Sequence, residues 1–319
     1  MSSPRKILAA ALAALSITAC QDPQPTVQPV IPSKVISQPV AKVVGVRDAG
    51  APFTVIPEAP HVDALAIAND APRVDHLGRA KQLSSEGDVK GALLESRRAL
   101  FFTPSDVETL STVAKLARRA GQPELAAEAW GRIAGLTPDD ALPLISQARA
   151  LIQLKDYAGA VMAGRDASTR DSGSVEAFQV TGIAQLAMNE LAGAIASFEK
   201  AVELEPNHGW ALNNLGFACL RANQNERAVT ALEHAAEVLP NVAYVQNNFG
   251  VALERVGRGD EAKAAYQHAM DLSPKYVKAR INAARVAKVQ LTPDEQPQVD
   301  ETMIELPHPM PEPTEPNAP

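Results

Sequence analysis

The chain has 319 residues, 46% of them hydrophobic and only 4% aromatic, so its core must be built from aliphatic side chains and alanine. Formal net charge is −7, and the stretch from Thr292 to Pro319 holds seven acids and no Lys or Arg, so the rest of the chain is neutral. A neutral body argues against a nucleic-acid binder driven by phosphate neutralisation.

At the start, Arg5 and Lys6 precede an apolar run from Ile7 to Ile17. The run is too short to span a bilayer comfortably and has the layout of an export signal. It ends in Ile17-Thr18-Ala19-Cys20, which resembles the bacterial lipobox. That resemblance implies a lipoprotein signal peptide over 1–19, a diacylglyceryl group on the Cys20 thiol, and cleavage just before it. An ordinary signal peptide with an incidental cysteine is the plainer alternative. Each buried methylene of an acyl chain contributes roughly 0.8 kcal/mol, so a multiply acylated cysteine anchors stably. Cys219 is the only other cysteine and is then left without a disulfide partner. Gln21, not an acid, follows Cys20, which by the enteric pattern implies an outer-membrane location facing the periplasm. Residues 20–72 follow, with nine prolines between 21 and 72, and read as a tether to that anchor. Within it, "KVISQPVAKVVGV" and "FTVI" are apolar enough for part of the segment to dock.

From residue 73 the chain repeats in frames of equal length without insertion: 73–106, 107–140, 141–174, 175–208, 209–242 and 243–276. The twentieth place is Ala in all six frames: Ala92, Ala126, Ala160, Ala194, Ala228 and Ala262. The eighth is Ala80, Ala114, Ala148, Gly182, Gly216 and Gly250. The thirty-second is Pro in every frame but the third, where it is Ser172. Apolar residues recur at three- and four-residue spacing on both sides of a central turn, which predicts an antiparallel helix pair per frame. Small residues at places eight and twenty let the two helices approach, and the late proline stops the second. One such hairpin cannot bury its apolar face alone, so the frames must stack.

The small eighth place, Ala at twenty, a large apolar residue near twenty-four (Trp130, Phe198, Leu232, Tyr266) and Pro at thirty-two resemble the tetratricopeptide repeat (TPR) family. The resemblance implies an all-α, right-handed superhelical solenoid of six hairpins. Frame 3, with Gly164 at place twenty-four, and frame 1, with Ser96 there, are expected to pack more loosely. After the sixth frame, the segment 277–291 reads as a capping helix. Val277, Ile281, Ala284 and Ala287 form one stripe, expected to lie against the sixth frame, with Lys278, Arg280, Arg285 and Lys288 toward water. The segment 292–319, with eight prolines among the acids, reads as a disordered tail.

No phosphate-cradling glycine loop, nucleophile elbow or zinc-protease motif is present, so no enzyme, metal or cofactor is expected. His234 and His268 share place twenty-six and read as two exposed histidines. Cys219 reads as a core thiol. On a first helix, places two, five, nine and twelve or thirteen share one side, and in the TPR family that side lines the inner groove, with place six at its border. Frame 5 then offers Trp210, Asn213, Asn214, Phe217 and Arg221, and frame 6 offers Tyr244, Asn247, Asn248, Val251 and Arg255. The paired asparagines form a candidate amide ladder for an extended peptide backbone. The alternative is that they bond between neighbouring repeats. In the first reading, replacing Asn214 and Asn248 by Ala costs binding and spares the fold; in the second, it lowers melting. Frames 1 to 3 place Lys81, Lys115, Arg118, Arg119 and Arg149 on the same side, a basic stripe suited to an acidic segment. The acidic tail is one candidate; a merely solvated face is the other.

These features point to a non-enzymatic, lipid-anchored scaffold that binds protein or extended peptide, with no nucleic-acid or small-molecule partner. The layout resembles the pilotin and pilus-assembly TPR lipoproteins. TPR lipoproteins of polysaccharide export or peptidoglycan assembly are the alternative. If Cys20 carries the lipid, Cys20→Ser moves the protein from the membrane to the soluble periplasmic fraction. A variant that stays on membranes through a high-salt wash contradicts the anchor.

Overall fold

The computed structural model describes residues 65–66 and 74–289. The chain divides into Met1–His61 and Val62–Pro319, and every described residue belongs to the second unit. The expected signal peptide, Cys20, nearly all of the tether, and the tail lie outside the described residues.

Among the described residues every regular element is an α-helix. First helices are α1 (His76–Ser85), α3 (Val107–Arg119), α5 (Leu142–Gln153), α7 (Val175–Ala187), α9 (Gly209–Arg221) and α11 (Ala243–Arg255). Second helices are α2 (Val89–Phe102), α4 (Pro123–Leu136), α6 (Tyr157–Arg170), α8 (Leu191–Leu204), α10 (Asn225–Val238) and α12 (Gly259–Leu272). A last helix, α13 (Val277–Val289), follows. Each frame of the sequence thus gives one hairpin, and each helix packs on the next in the chain. From α5 onward, successive first helices also touch each other: α5 with α7, α7 with α9, α9 with α11 and α11 with α13. Their layer is therefore the tighter, inner one.

Local chemistry explains the helix ends. Asp106 caps α3, accepting from the Thr109 backbone N–H at 2.8 Å and from its hydroxyl at 2.6 Å. Those bonds hold the Asp106 carboxyl below its usual range. Each turn between the two helices of a frame passes through one left-handed residue at the fifteenth place: Gly87, Gly121, Lys155, Asn189, Asn223 and Gly257. Glycine and asparagine tolerate that backbone, which explains five of the six.

The close approach at place eight is literal. A Cβ added to Gly182, Gly216 or Gly250 would lie 2.6 Å from Phe198, 2.3 Å from Leu232 or 2.6 Å from Tyr266, respectively. Each partner is the place-twenty-four residue of the same frame, and all three are fully buried. Burial, and then the neighbouring Glu254 carboxylate, push the Tyr266 phenol up, while its hydroxyl donates to Glu254 Oε2 at 2.8 Å. Cys219 is buried in the same core, and burial pushes its thiol up as well.

Two expectations need correction. Frame 3 is not loose at Gly164: that glycine is buried, and Thr181 Oγ1 of the next frame sits 2.3 Å from where its Cβ would be. The missing side chain is filled by a closer approach of α6 and α7. Within the segment expected as tether, Leu65 is fully buried against frames 1 and 2 and its carbonyl accepts from Arg97 Nε at 2.9 Å. The capping helix is turned around: Ala279, Asn282 and Val286 are buried, whereas Val277, Ile281, Ala284 and Ala287 are exposed. Arg285 does not face water either; its guanidinium pairs with both carboxylate oxygens of Glu254. A first helix has two packing faces, one for the preceding frame and one for its own second helix. The sequence stripe was the second kind.

At the N-terminal end, Glu95 is buried between His76 Nδ1 at 2.6 Å and Arg98 Nη1 at 2.8 Å. Burial alone would raise the Glu95 carboxyl, but the bonds from His76 and Arg98 and the charge of Arg79 bring it below its ordinary value. An ionised carboxylate only accepts, so His76 donates through Nδ1.

Because the helix pairs depend on a missing side chain at place eight, Gly250→Val is expected to lower stability by about 1–3 kcal/mol through overpacking against Tyr266. Gly259, at the start of α12, has open space around its Cβ position. Gly259→Ala should therefore change stability by less than about 1 kcal/mol, toward the stabilising side. Denaturant unfolding of both variants checks the contrast.

Candidate functional site

The four asparagines of frames 5 and 6 do not line an open groove. Asn213, Asn247 and Asn248 are fully buried and Asn214 is 2% exposed. Their amides bond from frame to frame. Asn214 Nδ2 donates to Gln179 Oε1 at 3.2 Å, Asn248 Nδ2 to Asn213 Oδ1 at 3.1 Å, and Asn282 Nδ2 to Asn247 Oδ1 at 2.8 Å. In each case the sixth place of one first helix reaches the fifth place of the helix before it. Within a helix, Asn213 Nδ2 approaches Asn214 Oδ1 at 3.3 Å and Asn247 Nδ2 approaches Asn248 Oδ1 at 3.5 Å. The result is one directed chain of amides from α13 to α7.

Both ends of that chain are closed. Gln179 Nε2 lies 3.2 Å from His208 Nδ1, which also accepts the Ala211 backbone N–H at 3.1 Å as the cap of α9. An accepting Nδ1 leaves the ring proton on Nε2. At the other end Asn282 Oδ1 accepts from Arg285 Nη2 at 3.2 Å, and Arg285 is held by Glu254. The peptide-ladder reading is therefore replaced by the inter-repeat one. Sequence reasoning could not choose, because an amide one turn from the groove and an amide between helices occupy the same helical stripe.

Other expected groove residues are also used internally. Phe217 and Val251 are buried in the core shared by frames 4 to 6. Arg221 Nη2 donates to Asn189 Oδ1 at 2.8 Å, and Arg255 Nη1 to the Leu220 carbonyl at 2.6 Å. Both arginines thus tie place thirteen to the end of the preceding first helix. Arg119 in frame 2 does the same, to Ser84 Oγ at 2.8 Å.

What remains accessible on the first-helix side has two parts. Trp210 and Tyr244, both at place two, stack with ring centroids 5.7 Å apart and planes 18° apart, and both are half-buried. Leu142, at the same place in frame 3, is 63% exposed. The sequence reading missed Leu142, although its place-two position was signal enough. Toward the N-terminus, Lys81, Lys115, Arg118 and Arg119 are exposed and Arg149 is half-buried. Lys81 pairs with Glu108 Oε1 at 2.5 Å, a bond that raises its ammonium. The inner face therefore runs from a cationic end to a ledge of apolar and aromatic side chains. Among the described residues no group of His, Cys, Asp and Glu is arranged to hold a metal ion, and no helix is long and apolar enough to cross a membrane.

Stacked helix hairpins of constant length, with a small residue at each crossing, define a helical repeat protein. Tetratricopeptide repeat models match residues 114–175, 185–247 and 243–276. The chain is a tetratricopeptide repeat protein. No curated protein matches the sequence significantly. Among solved structures, pilF of Pseudomonas aeruginosa is similar at 19% identity and a TM-score of 0.54, over 66% of this chain and 96% of that one. A chain of the APC/C hetero-tetramer Cut9-Hcn1 is similar at 16% identity and a TM-score of 0.53, over 66% of this chain and 42% of that one. At these identities the likeness is one of fold.

If the amide chain holds the frames together, Asn248→Ala must destabilise. It strands the Asn213 carbonyl and the Asn247 amide in a buried site, at about 1–3 kcal/mol for a buried group left unsatisfied. Melting of Asn248→Ala beside Lys263→Ala, a change on an exposed helix face, checks this. An unchanged melting temperature for Asn248→Ala contradicts the role.

Proposed function

We propose that the protein is a non-catalytic scaffold that binds an extended segment of a partner protein along its first-helix face. The observation that carries this is what lies accessible on that face: exposed cations in frames 1 and 2, then the exposed Leu142 and the half-buried Trp210–Tyr244 stack. A segment with acidic residues at one end and an apolar anchor at the other is the matching chemistry. Carboxylates meet Lys115 and Arg118, and the anchor rests on the aromatic ledge. The fit of the TPR family to protein partners supports the reading.

We further propose that the scaffold is anchored by lipid on Cys20 in the outer membrane and faces the periplasm. The lipobox-like sequence and the proline-rich tether support that placement. A role in pilus or secretin assembly is the narrower reading, supported by the layout of anchor, tether and repeats and by the fold shared with pilF.

Pull-down from solubilised membranes with the full-length protein tests the groove. Lys115→Glu/Arg118→Glu and Trp210→Ala are expected to lose the partner while remaining folded, with Trp210→Ala melting lower because its ring packs half-buried against the core of frames 5 and 6. Loss of an aromatic anchor costs around 2 kcal/mol, or about 30-fold in affinity. A partner retained by both folded variants overturns the groove as the binding surface.

A further inference from the structure

Continuing the count of the frames, α13 occupies the first-helix places of a seventh. Its places three, six and ten, Ala279, Asn282 and Val286, are buried, and the helices packed on it are α11 and α12. Places one, four, five, eight and eleven are exposed: Val277 (50% exposed), Arg280, Ile281 (42% exposed), Ala284 and Ala287. In frame 6 places eight and eleven are Gly250 and Leu253, both buried, and Tyr266 of the second helix lies directly on Gly250. The exposed side of α13 therefore has the form of a helix seat, with a small residue, Ala284, at the crossing and Val277 and Ile281 beside it.

A second copy stacked head to tail does not fit this seat. Its leading helix, α1, has Asp75, Gly78 and Gln82 at places three, six and ten, where α13 has Ala279, Asn282 and Val286. The interlock between frames does not continue either: place five accepts an amide at Asn213 and Asn247, but is Ile281 in α13. A second α13 is no better, because the sequence from Val277 to Val289 has Lys278, Arg280, Arg285 and Lys288 and no acid, so two such helices repel. The chain's own continuation is ill suited by composition. Pro297 and Asp300 stand at places twenty-one and twenty-four, and the latter is the place of the buried Tyr266 in frame 6.

We propose that this face of α13 binds an acidic, amphipathic helix of another protein, seated as a second helix is seated in each of the six frames. The chemistry of the occupant follows from the seat. A large apolar side chain rests over Ala284, as Tyr266 rests over Gly250, and its neighbours along the stripe cover Val277 and Ile281. Arg285 is already held by Glu254, whereas Arg280 is exposed, one turn from both Val277 and Ala284. A carboxylate beside the apolar stripe of the partner meets Arg280. The site adds a helix-binding surface at the end of the stack and does not depend on the extended-segment face of frames 1 to 5.

A surrogate helix tests this. The α12 sequence, residues 259–272, is itself acidic and amphipathic, with Asp260, Glu261 and Asp271 against Lys263 and with Tyr266 at the crossing. A fluorescent peptide of that sequence, held helical by a lactam between Lys263 and Gln267→Glu, both exposed on α12, is titrated with the full-length protein. Saturable binding is expected. Ile281→Asp in the protein, or Tyr266→Asp in the peptide, should weaken it about tenfold or more, and Arg280→Glu about fivefold. Both protein changes are at exposed positions, and circular dichroism checks that the variants stay folded. Lys115→Glu/Arg118→Glu should leave peptide binding unchanged, which separates this site from the groove. No saturable binding to the wild-type chain overturns the proposal, and so does binding that survives Ile281→Asp. Binding that appears only in Val299→Asp/Met303→Asp assigns the face to the chain's own continuation and overturns it. A dimer that Ile281→Asp converts to monomer in light scattering assigns it to a second copy and also overturns it.

Discussion

Everything in this fold depends on how closely two helices of one frame can approach at the eighth place. Where Gly182, Gly216 and Gly250 have no side chain, Phe198, Leu232 and Tyr266 lie directly on the helix backbone. That contact sets the depth of each hairpin and so the position of the next one. In these three frames, where a bulky side chain faces the glycine, one added methyl would push the pair apart, and the error would pass to later frames, because each repeat contacts chiefly its neighbours. The alanine at place twenty performs the matching service from the second helix. A core this rich in alanine gains less per residue from burial than one built from large side chains, so alignment along the stack needs a second source.

The amide chain supplies that source. From Asn282 to Gln179 it crosses four first helices, and each link joins adjacent frames. Buried amides stabilise only when satisfied, and a misaligned frame would leave two groups without partners in a dry site. The chain therefore selects one register among the many that small apolar residues would permit. Its ends meet groups suited to close it: a histidine that caps a helix at one end, and an arginine clamped by Glu254 at the other. The amide chain stops at Gln179 in the fourth frame. Before it, Thr181 fills the space at Gly164, and Leu65 packs against the first two frames.

The consequence for function is a division of labour along the inner face. In the fifth and sixth frames the asparagines and arginines of the first helices serve the stack, and the place-two aromatics stay half-buried at the surface. In the first and second frames the cations remain exposed. On the proposed reading, specificity comes from the spacing between a cationic end and an apolar ledge, not from an amide ladder that would hold any backbone.

The repeat was legible because its physics is local. Period, small crossing residues, a central turn and closing prolines all appear within a single frame, and they determined the frame boundaries and one helix pair in each. The basic residues of the first two frames were legible for the same reason: long charged side chains on a helix stay at the surface. What the tertiary structure decided was the fate of residues sharing a helical stripe. Asn213, Asn214, Phe217 and Val251 have the spacing of a groove, yet they are buried, because the first helices touch closely enough to enclose that side. Val277, Ile281, Ala284 and Ala287 have the spacing of a core face, yet they are exposed, because the described helices packed on α13, α11 and α12, meet its other side. Helical period assigns residues to a common side; which neighbour that side meets depends on contacts from the adjacent repeat, a full frame away in the chain, and only the packed chain supplies them.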